Sequence, residues 1–166
     1  GPERGSVGAP ASLPGAFAVG ASDQEDQVVY FSGRGPSPWG AIRPHLTAPG
    51  VGVTSALPGG AYGPKQGTSM AAPHVAGTVA LILDAKPNLT ITETAFVLTR
   101  TAVPLSQVIP NNDTGYGRVD AYAAVSLAAD AGLISGIVKG DGTPLRGATI
   151  EATPLLSGLH GTTRSD

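Results

Sequence analysis

Cysteine is absent from all 166 residues, which excludes disulfides, thiolate nucleophiles and thiolate metal sites. Charge is scarce as well: Asp, Glu, Lys and Arg make up 13% of the chain, about half the usual share. Ten basic residues against 12 acidic ones leave a net charge of −2. With no cationic excess to release counterions, a nucleic-acid partner is not expected. Aromatic residues contribute only 5%, so any core must be filled by smaller side chains. No apolar run approaches the ~20 residues of a membrane-spanning helix, and no membrane span is expected.

What the chain has in quantity is glycine (24) and proline (15), within a composition that is 41% hydrophobic. That describes a globular chain with many sharp turns, sized for one domain or for one domain and part of another. The first residues, Gly1-Pro2, carry no signal peptide, and targeting information is expected outside this piece. The three histidines, His45, His74 and His160, are dispersed with no i, i+4 pair, so no metal site is expected from them.

Along the chain, residues 17–21 and 28–31 read as strands, 32–49 as mostly loop, and 51–56 as a strand entering the Gly59-Gly60 turn. Residues 69–85 form the strongest helix pattern. They are apolar almost all the way round, which predicts a central helix buried on every side. Pro87 ends it. Thr90-Ile91-Thr92-Glu93 fits a capping box that opens a second helix burying Ala95, Leu98 and Phe96, and a third runs over 120–130. After Gly132 the pattern changes to two alternating strands, 134–139 and 146–153, about the turn Gly140-Asp141-Gly142, with Ala148, Ile150 and Ala152 on one face. A domain boundary is therefore expected at 130–133, dividing 1–130 from a truncated all-β piece at 133–166.

The segment Gly67-Thr68-Ser69-Met70-Ala71-Ala72-Pro73-His74 carries the chemistry. A serine opens a buried helix straight after a glycine turn. There the unpaired N–H groups and the positive helix end favour an oxyanion beside its hydroxyl. Gly67 leaves room for a substrate backbone to approach. Nucleophile and oxyanion donor could thus come from one turn. The plainer alternative is that Ser69 or Thr68 is an N-cap. The G-x-S-x-G elbow fails, because Ala71 stands where its second glycine belongs. His74 lies about 7 Å along the helix from Ser69 and about 140° round it, so it reads as a packed helix histidine rather than a base.

This serine block resembles that of the subtilisin-like serine proteases (subtilases, peptidase S8). Val7-Gly8-Ala9-Pro10, Ala18-Val19-Gly20-Ala21, Phe31-Ser32-Gly33-Arg34-Gly35-Pro36, Thr47-Ala48-Pro49-Gly50 and Gly115-Tyr116-Gly117-Arg118-Val119-Asp120 resemble further family blocks in family order. The resemblance covers residues 1–129. It implies an α/β fold: the C-terminal half of a three-layer α/β/α subtilisin-like domain with a mostly parallel sheet. The later residues, with Gly136-Ile137-Val138 and Gly140-Asp141-Gly142-Thr143-Pro144-Leu145, are similar to a carboxypeptidase-regulatory-like β-sandwich module, a generic Ig-like sandwich being the rival.

The resemblance further implies a secreted, extracellular serine endopeptidase acting on protein or peptide substrates through an acyl-enzyme at Ser69. Gly67, Thr68 and Met70 flank the nucleophile, and Gly8 is the substrate-binding glycine at the floor of a specificity pocket. Oxidation of Met70 is expected to lower activity. The family's triad aspartate and histidine, and its oxyanion asparagine, lie upstream of the matched blocks. This piece alone is therefore expected to be inactive. No cofactor is required. Calcium, held by carbonyls of residues 11–16, is left open, with His45 where the family has an acidic residue. The competing reading is a non-catalytic binding protein on a degenerate protease scaffold.

Overall fold

The computed structural model describes residues 1–130 and the strand residues 139–140, 143–144, 149–152 and 161–164. The chain divides into two units, Gly1–Gly132 and Leu133–Asp166.

In the first unit, β1 (Val19–Ser22) pairs in parallel with β2 (Leu46–Pro49), in the register Val19 to Leu46 through Ser22 to Pro49. The run Ala18-Val19-Gly20-Ala21 makes a strand because its side chains are small enough to be enclosed: Ala18 and Ala21 are buried, as are Leu46 and Ala48 beside them. β2 falls inside the proline-rich stretch that the sequence reads as loop. Its amides are claimed by distant segments, with Thr47 N–H donating to Gly117 O at 2.8 Å and Thr47 O accepting from Val119. The strand expected at 28–31 reduces to a single bridge between Val28 and Ser22. β3 (Val53–Ala56) and β4 (Tyr62–Lys65) form an antiparallel hairpin across the turn at Pro58–Gly60. Among the described residues the first unit is a mixed α/β arrangement, in which β1 and β2 pair in parallel and Thr47 makes a further parallel bridge to Arg118, beside the antiparallel hairpin.

Helix α1 (Thr68–Ala85) packs on β1, β2 and α3, and α2 (Ile91–Thr101) packs on α3 (Ala121–Asp130). The expected all-round burial of α1 is not found. Only Ala71, Val75, Thr78 and Ile82 are buried, an i, i+4, i+7, i+11 stripe toward the strands and α3. The opposite face, with Pro73, Ala76, Ala80 and Asp84, is exposed, and Ala72 and Leu81 are exposed on the two flanks of the stripe. Around its edge Val79, Leu83, Phe17, Leu89 and Leu98 line an apolar groove of about 350 Å³. On α2 the buried positions are Thr94, Val97 and Leu98. Ala95 is half-buried and Phe96 is exposed, which corrects that part of the expected core.

In the second unit, β5 (Lys139–Gly140) pairs antiparallel with β6 (Thr143–Pro144), and β7 (Thr149–Ala152) with β8 (Gly161–Arg164). Of the two strands expected from sequence, 149–152 takes 161–164 as its described partner, while 134–138 and 146–148 lie outside the described residues. The expected turn at 141–142, the shared face of Ala148, Ile150 and Ala152, and His160 lie outside the residues whose placement or side chains are described.

Candidate active site

Ser69 sits on the second residue of α1. Gly67 is the N-cap and contributes no side chain, and no side-chain capping bond closes this helix end. The N-cap alternative for Thr68 or Ser69 therefore fails. Gly67 has φ +147°, a left-handed value that favours glycine. Its N–H donates to Gly50 O at 2.8 Å, and Gly50 N–H in turn donates to Ser22 O at 2.9 Å. These two bonds moor the serine turn beside the carboxyl ends of β1 and β2, where parallel strands place ligands in open α/β sheets. Space there is tight: a Cβ on Gly50 would stand 3.0 Å from Gly67 O.

The local electrostatics follow from hydrogen bonds that are not made. Met70 and Ala71 N–H both donate to Gly67 O, at 2.9 and 3.3 Å. The amides of Thr68 and Ser69 have no acceptor among the described residues, and Ser69 is exposed. Free amides at a helix N-terminus carry partial positive charge toward whatever lies beside the hydroxyl. Ser69, Thr68 and Gly8 line one cavity of about 410 Å³, together with Val7, Ala11 and Phe31. A Cβ on Gly8 would meet nothing within 4 Å, so this glycine opens on free space. Met70 is half-buried behind the turn.

Among the described residues no imidazole is bonded to the hydroxyl. His74 is exposed rather than packed, and its Nδ1 donates to Met70 O at 2.8 Å, one turn back. Pro73 lacks the N–H that Ser69 O would otherwise receive within the helix. His45 bridges β1 and β2: Ala18 N–H donates to its Nδ1 at 2.8 Å, and its ring stacks on Phe17 at 4.7 Å and 11°. Burial first, then the nearby charge of Arg43, hold its pKa below the ordinary 6.5, so it is neutral at pH 7.

The loop 8–16 that carries Gly8 is closed by Ser12 N–H on Gly8 O (3.0 Å), Leu13 N–H on Pro10 O (3.0 Å) and Ala16 N–H on Leu13 O (3.2 Å). Two of its carbonyls face Arg43, whose Nε donates to Ala11 O at 3.3 Å and Nη2 to Leu13 O at 3.5 Å. Oxygens already turned on a cationic group do not fit a calcium ion. The described residues also hold no group of three acidic or histidine side chains that could bind a metal. Sequence reasoning missed Arg43. The one signal was a lone charged residue set between Ile42 and Pro44, before an apolar strand.

Residues 1–117 match the profile of the subtilase family, Peptidase_S8. Bacillopeptidase F of Bacillus subtilis is 43% identical over 131 residues, which are 76% of this chain and 9% of that protein. Subtilisin E of Bacillus subtilis is 47% identical over 85 residues, 51% of this chain and 21% of that one. Among solved structures, the CspB protease of Clostridium perfringens superimposes with a TM-score of 0.71 at 30% identity, over 77% of this chain and 30% of its own. The chain thus spans between a tenth and a third of the length of these relatives.

Proposed function

Because the chain belongs to the subtilase family, we propose that it supplies the nucleophile and part of the substrate cleft of a secreted serine endopeptidase acting on proteins or peptides. One observation carries this reading. An exposed hydroxyl stands at an uncapped helix start, beside two amides without acceptors among the described residues, in the same cavity as Gly8. Ser69 Oγ attacks the scissile carbonyl, whose oxygen becomes an anion received by the Ser69 N–H. The amine leaves, an acyl-enzyme remains, and water releases it. Gly8 leaves the side-chain pocket open beside the scissile bond. The relatives include one named as an extracellular protease, which supports secretion.

The base that takes the Ser69 proton, the carboxylate that orients it and a second oxyanion donor come from outside these 166 residues. His74 and His45 each commit Nδ1 to the backbone, and neither is bonded to Ser69. The three-layer domain would be completed by the same missing portion, covering the open face of α1. Residues 133–166 would begin a carboxypeptidase-regulatory-like β module with no catalytic part. The chain alone is accordingly inactive.

Fluorophosphonate labelling of the full-length protein, beside its Ser69→Ala variant and the isolated chain, tests all of this. Labelling of the full-length protein alone is expected. Equal labelling of the Ser69→Ala variant would overturn the nucleophile, and rapid labelling of the isolated chain would overturn its inactivity.

A further inference from the structure

Arg43 is 7% exposed, and no carboxylate among the described residues pairs with it; the ion pairs found there belong to Arg34 with Asp113 and Arg118 with Asp26. A buried charge without a counter-ion is unfavourable unless hydrogen bonds replace its water. Here they do, and all end on main-chain oxygens. Nε donates to Ala11 O at 3.3 Å, Nη1 to Ile42 O at 2.8 Å, and Nη2 to Leu13 O at 3.5 Å. Two of the three, Ala11 O and Leu13 O, come from one folded loop, and main-chain oxygens turned on one positive centre are the kind of donor a hard-cation site uses. In this chain the positive centre is covalently attached.

We propose that the Arg43 guanidinium is the built-in cation of loop 8–16, standing where a metal ion would otherwise bind, so that this wall of the Gly8–Ser69 cavity holds its shape without metal. Arg suits the role because its fixed fork of donors reaches several oxygens at once and never loses its charge. The anchor stands three residues before β2, and its own backbone is held: Arg43 N–H donates to Asn112 Oδ1 (3.3 Å) and Arg43 O accepts from Gly35 N–H (2.9 Å). The guanidinium thus ties a loop to a frame held at both ends. This inference concerns metal dependence and needs no proteolysis, so its failure and that of the protease reading are separable.

Thermal melting of the full-length protein tests it, in chelator and in millimolar calcium chloride. Arg43→Gln removes the charge, and Arg43→Glu puts a carboxylate among the same carbonyls, an oxygen set that calcium accepts. Arg43→Gln is expected to melt about 5 °C below the wild type in both buffers. Arg43→Glu is expected to melt at least as low in chelator, and calcium should raise it by about 5 °C more than it raises the wild type. A wild type that gains as much from calcium as Arg43→Glu does, or an Arg43→Gln protein that melts with the wild type, overturns the proposal. Should Arg43→Glu fail to fold even with calcium, Arg43→Lys decides. Retaining the charge must recover most of what Arg43→Gln loses, and an Arg43→Lys protein that melts with Arg43→Gln sinks the idea.

Discussion

Two helices of the first unit begin in opposite ways. At α2, Thr90 Oγ1 accepts from Glu93 N–H at 3.2 Å while a Glu93 carboxylate oxygen accepts from Thr90 N–H at 2.8 Å, so the end is closed by its own side chains. At α1, a glycine stands at the same position with no side-chain cap, and the Thr68 and Ser69 amides have no acceptor among the described residues. A glycine in place of a capping side chain typically costs a helix only a few tenths of a kcal/mol, so α1 gives up little stability at its open end. The amides left open at α1 are the ones a substrate oxyanion can fill.

Four changes break or sharpen this contrast, and the largest effect belongs to the open end. Ser69→Ala in the full-length protein should reduce peptide hydrolysis by ~10⁴-fold or more. Melting should stay within ~0.5 kcal/mol, because the hydroxyl caps nothing. A large stability loss would mean that Ser69 is structural after all. Gly67→Ala forces a side chain into φ +147° and should destabilise the protein by ~1–3 kcal/mol. It should also slow fluorophosphonate labelling at Ser69, by shifting the turn that Gly50 holds. Wild-type labelling in a destabilised protein would show that the turn does not position the nucleophile.

The closed end should respond in stability alone. Thr90→Ala should lower unfolding free energy by ~1 kcal/mol and leave hydrolysis rates unchanged. Reduced kcat in that variant would contradict the division between the two helix starts. Smallest is the acid response of the same cap. The Thr90 amide, then its hydroxyl, hold the Glu93 carboxyl below its ordinary 4.5. A carboxyl lowered on folding contributes stability that is fully present above 4.5 and is lost as pH falls through its lowered value. Protection of the first amides of α2, measured as hydrogen exchange relative to the intrinsic rate at each pH, should therefore fall in acid, and Glu93→Gln should flatten that dependence. The start of α1 has no titratable group and should show no such change.

The α2 cap was legible from Thr90 and Glu93 because donor and acceptor lie within one turn of each other, where chain geometry alone brings them together. The serine block was legible for a similar reason, since glycine, serine and helix start are contiguous. β2 was not, because its bonds go to Gly117 and Val119, far along the chain, and the prolines around it argued for loop. Nor could the apolar surround of α1 report that only one stripe is covered. An apolar residue records that it can be buried, and a neighbour must exist to bury it. His45 was picked out as the departure that bears on cation binding. Arg43, two positions earlier, is the residue that reaches the carbonyls.

Local pattern was therefore enough for the helices, their ends and the placing of Ser69 at a helix start, since each depends on atoms a few bonds or one helical turn apart. Tertiary structure alone brought Gly8 into the cavity of Ser69, left α1 bare on one side and set a guanidinium among the carbonyls of a loop about thirty residues away. Contacts of that kind depend on which distant segments meet, and no window along the chain contains both partners.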